Sequence, residues 1–226
     1  MNFFFKGFKG MLPITTGIIP FGAVMGTVCA EAKLELFQSV AMNLLVFAGA
    51  AQLAAVDLMN KNTESFVIIL TGMIINLRFM LYSAAVSPIF MNSNFLTKLM
   101  AAHSLTDQNY AVMSAHQDIL TTNTEKIPFY FGASACMMIA WHGSVIVGFI
   151  FGNFAPASWA LDYAVPLSFV ALVMPSLKNY KYVMVAIFSS IFSLILKPLP
   201  YNMGLITTAV LGICLGAFLS RQKSDK

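Results

Sequence analysis

The chain has 226 residues, of which 58% are hydrophobic and only 10% charged, against about 25% charged in an ordinary soluble domain. Mean hydropathy is +0.78, and the net charge of +4 sits near the ends, at Lys6 and Lys9 and at Arg221, Lys223 and Lys226. A chain this apolar cannot hide its surface from water by folding on itself. A soluble enzyme, a secreted disulfide scaffold and a disordered protein are excluded, and terminal charge of this kind is juxtamembrane rather than a nucleic-acid patch.

The apolar runs are continuous and longer than the ~10-residue strands of a membrane barrel, so the spans are helices. At roughly 20 residues per crossing, the length allows about seven or eight spans with short loops. The expectation is one integral membrane domain over residues 1–226, an all-α polytopic bundle.

The first span reads as 12–30. Lys6 and Lys9 before it mimic a signal peptide, but further spans follow at once, so it is read as an uncleaved helix with its N-terminus in the cytoplasm. Pro13, Gly17, Pro20, Gly22 and Gly26 crowd it. The loop with Glu31, Lys33 and Glu35 is net acidic and suits the outside. The second span, 39–59, carries Asn43 and the run Phe47-Ala48-Gly49-Ala50-Ala51-Gln52; the third, 66–90, carries Arg78 at its centre.

The interval 91–127 is mixed. His103, Asp107, His116 and Asp118 are interleaved with Phe95, Leu96, Leu99 and Met100 at helical spacing. An interfacial helix, a re-entrant segment and a polar eighth span all fit. Further spans read as 128–151, 161–177, 182–197 and 203–220. Seven crossings would leave the basic C-terminus outside, against the charge rule, whereas eight bring both termini and the Lys178/Lys181 loop inside. Eight is therefore the expectation.

Pro156, Pro166 and Pro175 mark the 161–177 segment as the first span is marked by Pro13 and Pro20. Proline removes a helix hydrogen bond, and in a membrane the freed backbone must be covered or line a cavity. Helices broken by Pro and Gly are how transporters build midplane sites, although ordinary membrane helices tolerate both residues. Stretches beginning at Pro20 and Pro166 share one pattern, which permits an internal repeat without demonstrating it.

A charge at the centre of a span costs roughly 2.5–3.5 kcal/mol on the insertion scale. Arg78 therefore needs acceptors or water, either as an anion contact or as half of a structural pair, and Tyr82, four residues on, shares its face. Gln52 places a donor and an acceptor in the apolar layer within a seam of small residues, and Gly22–Gly26 forms a similar GxxxG. His103 and Asp107 are four apart, on one helical face: a proton relay or ammonium contact, or else a solvated face. His142 stands alone beside Trp141, the setting of a structural histidine more often than a functional one. Cys29, Cys136 and Cys214 lie far apart and form no metal or disulfide pattern. No catalytic or ATP-binding motif is present, so transport would draw on an ion gradient or exchange.

At these residues the chain resembles the AzlC-type branched-chain amino acid permeases, the large subunits of two-component exporters. The resemblance runs nearly end to end: Gly17-Ile18-Ile19-Pro20-Phe21-Gly22, Phe47 to Gln52, Asn76-Leu77-Arg78-Phe79-Met80-Leu81-Tyr82-Ser83, Leu105-Thr106-Asp107 with Tyr110, Trp141 with Gly148 and Gly152, and Leu161-Asp162-Tyr163-Ala164. The Asn-x-Arg-x-x-Leu-Tyr-Ser stretch is the most specific. Gln108 departs from the acidic residue common at that place, a difference that bears on substrate or coupling. The resemblance implies export of leucine, isoleucine or valine across a bacterial inner membrane and a small hydrophobic (AzlD-like) partner subunit; the sequence itself gives no cofactor.

The residues and the resemblance together make a secondary exporter of small amino acids the leading expectation, with a non-transporting membrane scaffold as its rival. A buried zwitterion needs each charge met. The expected carboxylate partner is Arg78, or the free N–H groups of a helix broken near Pro20. The expected ammonium partner is Asp107, with Gln52, Asn76 and Tyr82 completing the site and Phe47 or Phe79 against the aliphatic part. Asp107 and His103 are the candidates for proton coupling.

Overall fold

The computed structural model describes residues 2–154, 177, 179–199 and 203–221. Among the described residues it forms ten helices and no strand: α1 (Phe3–Glu31), α2 (Leu36–Val46), α3 (Gly49–Asn60), α4 (Ser65–Asn76), α5 (Arg78–Phe90), α6 (Phe95–His103), α7 (Asp107–Ala115), α8 (Asn123–Phe154), α9 (Tyr180–Ile195) and α10 (Met203–Arg221). The expected all-α membrane bundle is observed. The expected 161–177 span lies outside the described residues except for its last position, and so do Lys178, Pro156, Pro166, Pro175, the Leu161–Ala164 stretch and the first part of the second copy of the suggested repeat.

By length and composition, α1 and α8 can each cross a membrane, and α4–α5, bent by 44°, is a third candidate. Phe37, Leu45, Phe66 and Leu81 are each more than 70% exposed. Large apolar side chains held outward over the molecule make a lipid-facing surface.

The frame is the pair α1–α8, two long helices packed side by side and running in the same direction. Gly7 lies on the Phe129 backbone and Gly132 on that of Phe4; further along, Gly26 lies on Val145 and Gly148 on Ala23. A methyl group at any of these four would fall inside the van der Waals radius of a backbone carbonyl. The hydroxyl of Thr27 donates across the seam to the Gly148 carbonyl at 3.2 Å. Close approach of this kind needs small residues, and dispersion then accumulates along the contact. The Gly22–Gly26 seam is thus internal, meeting Ser144, Trp141 and Val145, and Gly49 is covered by Trp141 and Phe21. Neither seam is free for a partner subunit, so neither supports the expected one.

The helices break where no proline stands. α1 runs unbroken through Pro13 and Pro20, because its buried face (Met11, Ile18, Met25 and Cys29) is held against the core while both prolines point outward. The expected helix N-terminus near Pro20 is therefore absent, and Pro20 leaves the expected anion site. The expected second span is instead two helices, α2 and α3, broken at Phe47-Ala48. The third bends at Leu77, between α4 and α5. The 91–127 interval holds α6 and α7, parted at Ser104–Thr106 and tied down on α8. Asn109 Nδ2 donates to the Ser104 carbonyl at 2.6 Å and to Ser134 Oγ at 2.7 Å, and the Tyr130 hydroxyl donates to the Ala101 carbonyl at 2.7 Å. The α9–α10 pair packs through Gly212 against Ser189.

Candidate functional site

The three breaks meet. Arg78 is the first residue of α5 and Asp107 the first of α7, and their side chains form an ion pair, Nη1 to Oδ2, at 2.8 Å. The local sequence puts them there. Thr106 caps α7, accepting from the Asn109 N–H, which leaves Asp107 in the first turn, where the helix dipole favours a carboxylate. Arg78 follows the bend at Leu77, so its guanidinium leaves the helix where the backbone turns toward α7.

The pair is half-buried, each side chain about 30% exposed, and it is under-satisfied. Arg78 Nε, Asp107 Oδ1 and Asn76 Oδ1 are buried without a hydrogen-bond partner. Tyr82, one turn along α5, lies beside the Asp107 carboxylate and stacks on Tyr110 of α7, with ring centroids 4.6 Å apart and planes at 15°. The guanidinium also sits over Phe79, 5.3 Å from its centroid. A cavity of about 410 Å³ lies between α5 and α6. It reaches Ser83, the neighbour of Tyr82, and Leu105, two residues before Asp107, and Ser87 and Lys98 also line it.

A second cluster sits at the α2–α3 break. Trp141 Nε1 donates to Asn43 Oδ1 at 3.0 Å and Gln52 Nε2 donates to the same oxygen at 2.9 Å, while Asn43 Nδ2 donates to the Ser39 carbonyl at 3.1 Å. An indole can only donate, so it fixes which atom of Asn43 is oxygen and therefore which way Gln52 is turned. Gln52 Oε1 is left buried with no partner. At the break itself Phe47 is stacked on His142 (5.4 Å, 12°) and on His103 (6.0 Å, 25°).

The structure thus brings Arg78, Asp107 and Tyr82 to one place, with Asn76 two residues before Arg78 at the end of α4. Gln52 lies in the neighbouring cluster, with no hydrogen bond to the ion pair. His103 and Asp107 do not share a helical face, because the Ser104–Thr106 break divides them, and His103 turns to Phe47 instead. Sequence reasoning missed the roles of Trp141 and Phe47. The available signals were the Trp141-His142 doublet in an apolar span and Phe47 directly ahead of a Gly-Ala-Ala run.

Lipid-facing helices around a polar, broken-helix centre define a helical membrane protein. Residues 13–155 match the family model described as AzlC protein, and the chain belongs to that family. It is also 23% identical over 184 residues to an uncharacterized membrane protein of Helicobacter pylori strain J99, covering 79% of each chain. It is 25% identical over 180 residues to an uncharacterized membrane protein of Archaeoglobus fulgidus, covering 78% of this chain and 77% of that one. No solved structure matches it.

Proposed function

We propose that this protein is a secondary transporter that exports small hydrophobic amino acids of the branched-chain class, as a multi-pass protein of a bacterial inner membrane. The observation that carries the reading is the under-satisfied ion pair where the helix breaks meet. An α-amino acid offers a carboxylate, which only accepts, and an ammonium, which only donates. The pair offers the converse: a spare donor at Arg78 Nε and a spare acceptor at Asp107 Oδ1, and Asn76, two residues before Arg78, carries a further unpartnered acceptor at Oδ1. A zwitterion enters by exchanging one ion pair for two, so no charge is stranded in low dielectric. Phe79 and the Tyr82–Tyr110 stack supply an apolar wall for the aliphatic side chain. The adjoining cavity, within the ~300–1,000 Å³ range of small-molecule pockets, gives access. One methylene is worth only about 1–3 kcal/mol, so valine, leucine and isoleucine compete.

A small hydrophobic membrane subunit completes the exporter in this proposal, on the strength of the family resemblance rather than of the glycine seams. Proteoliposomes loaded with labelled leucine test both parts. Efflux that unlabelled valine and isoleucine inhibit, and lysine and glutamate do not, is the expected result. Specific binding of leucine or of the subunit with no flux at any gradient returns the scaffold reading.

A further inference from the structure

His142 is an ionisable group that the proposed substrate site does not use. It lies within α8, among apolar residues, with Nδ1 2.8 Å from the Met138 carbonyl. A carbonyl only accepts, so Nδ1 carries the hydrogen and the neutral ring presents a lone pair at Nε2. That nitrogen is buried and has no partner. An unanswered imidazole nitrogen in a membrane helix is expensive, and intramembrane ionisable groups mark ion and proton pathways.

The surroundings of the ring select the ion. Its face is stacked on Phe47, whose π-cloud attracts an imidazolium. His103 also stacks on that phenyl ring, and the ionisable groups in the first turns of α7 and α5 are Asp107, Tyr110, Arg78 and Tyr82. Among the described residues, the other helices against this part of α8 bring no charge near. Trp141, the neighbour of His142, packs on Phe21, which is ten residues from Glu31 and twelve from Lys9, or at least about 15 Å along α1. Asp57 of α3 lies ten residues on from Phe47 and is paired with Lys61 at 2.7 Å. A lone pair with an aromatic face and, among the described residues, one histidine near it, no fixed cation and no group of three metal-ligating side chains fits a proton better than a metal ion, which needs several ligands.

We propose that His142 Nε2 takes up the proton exchanged for the outgoing amino acid, an inference that rests on the transporter reading. The proton forms an N–H bond at Nε2 when the site is open to the outside and leaves from the same atom to the cytoplasm. No other bond changes. The charge acts through Phe47, which sits at the α2–α3 break and also touches His103 at the end of α6. Protonation therefore presses on two of the three breaks that build the substrate site.

Inside-out membrane vesicles from cells producing the full chain with its native partners test this, with leucine as probe and a pH-sensitive dye reporting a preformed proton gradient. Leucine is expected to dissipate the gradient in the wild type. In His142→Gln the leucine-linked proton signal falls by at least about tenfold while labelled-leucine counterflow stays within about threefold at matched expression; His103→Gln keeps both. A wild-type proton signal in His142→Gln overturns the proposal, and so does leucine flux in the wild type without any proton signal, a result that needs no variant. Loss of both signals in a His142→Gln protein normally inserted in the membrane assigns His142 to substrate binding and overturns it as well. Absence of leucine flux in the wild type sinks the transporter reading, and this inference with it.

Discussion

Arg78 and Asp107 can be a structural pair or a substrate site, and a double-mutant cycle separates the two. Opposite charges about 4 Å apart attract by ~4 kcal/mol at an effective dielectric of ~20. Both side chains are about 30% exposed, and screening by water brings the useful part to ~1–3 kcal/mol. Arg78→Gln or Asp107→Asn alone leaves the other charge without its partner and is expected to lower stability by about that amount. The double variant strands no charge, so its stability returns to within ~1 kcal/mol of wild type. Transport follows a different rule. Each substitution removes a charge-assisted hydrogen bond to one end of the zwitterion, worth ~1.5–3 kcal/mol, so each lowers leucine efflux roughly 10- to 150-fold and the double variant does not recover. Thermal unfolding in detergent and efflux from proteoliposomes measure the two separately. Recovery of efflux to within about threefold of wild type in the stable double variant would refute the substrate role.

Further substitutions probe the frame and the second cluster. In Gly148→Ala the new methyl falls on the Ala23 carbonyl and overpacks the α1–α8 seam, with an expected loss of ~1–3 kcal/mol; Gly143→Ala, whose Cβ meets nothing within 4 Å, is expected to be neutral or to stabilise by ~0.5–1 kcal/mol. Thermal melts of the two side by side decide. Trp141→Phe removes one of the two donors to Asn43 Oδ1 and costs ~0.5–1.5 kcal/mol, whereas Asn43→Leu strands both donors and costs at least ~2 kcal/mol; equal losses in urea titrations would count against the shared-acceptor geometry. Asn109→Ala cuts both ties that hold the Ser104–Thr106 break to its surroundings, at ~2–3 kcal/mol, and limited proteolysis is expected to move to that break.

The helical membrane class was legible because it follows from composition alone, and Arg78 was legible because charge in an apolar run is rare. The breaks were not. Pro20 disrupts only one turn's hydrogen bonding, and the buried Met11–Met25 face outweighs that loss, so α1 continues. Leu77 has no Pro or Gly beside it and Phe47-Ala48 has only Gly49, a weak signal alone; polar groups some distance along the chain, Asn43 with Trp141 and Arg78 with Asp107, meet where the helices redirect. His103 and Asp107 misled for the same reason. A spacing of four places side chains together only while the helix is continuous, and Thr106 begins a new helix between them. The ion pair joins residues 29 apart, a separation that periodicity cannot report.

The direction of α8 constrains the path of the chain through the membrane. Phe4 and Gly7 lie against Phe129 and Gly132, and Ala23 and Gly26 against Val145 and Gly148, so α1 and α8 point the same way. Two helices that cross one bilayer in the same direction must be joined by an odd number of further crossings. Between them lie three broken pairs, α2–α3, α4–α5 and α6–α7. Either all three cross or one crosses alone, and α4–α5 is the pair that is long and apolar enough to do so. The first arrangement sets every break partway through the bilayer, where a buried zwitterion site needs it. Single cysteines distinguish the two in a background free of Cys29, Cys136 and Cys214, probed in intact cells with an impermeant maleimide. With three crossings, Lys33→Cys and Asn92→Cys label from outside, while Asn62→Cys and Asp118→Cys are protected. Outside labelling of Lys33→Cys and Asn62→Cys together, with Asn92→Cys protected, would establish the single crossing and move the Arg78–Asp107 pair toward the membrane surface. Labelling of both Lys33→Cys and Asp118→Cys from outside would contradict the parallel packing itself.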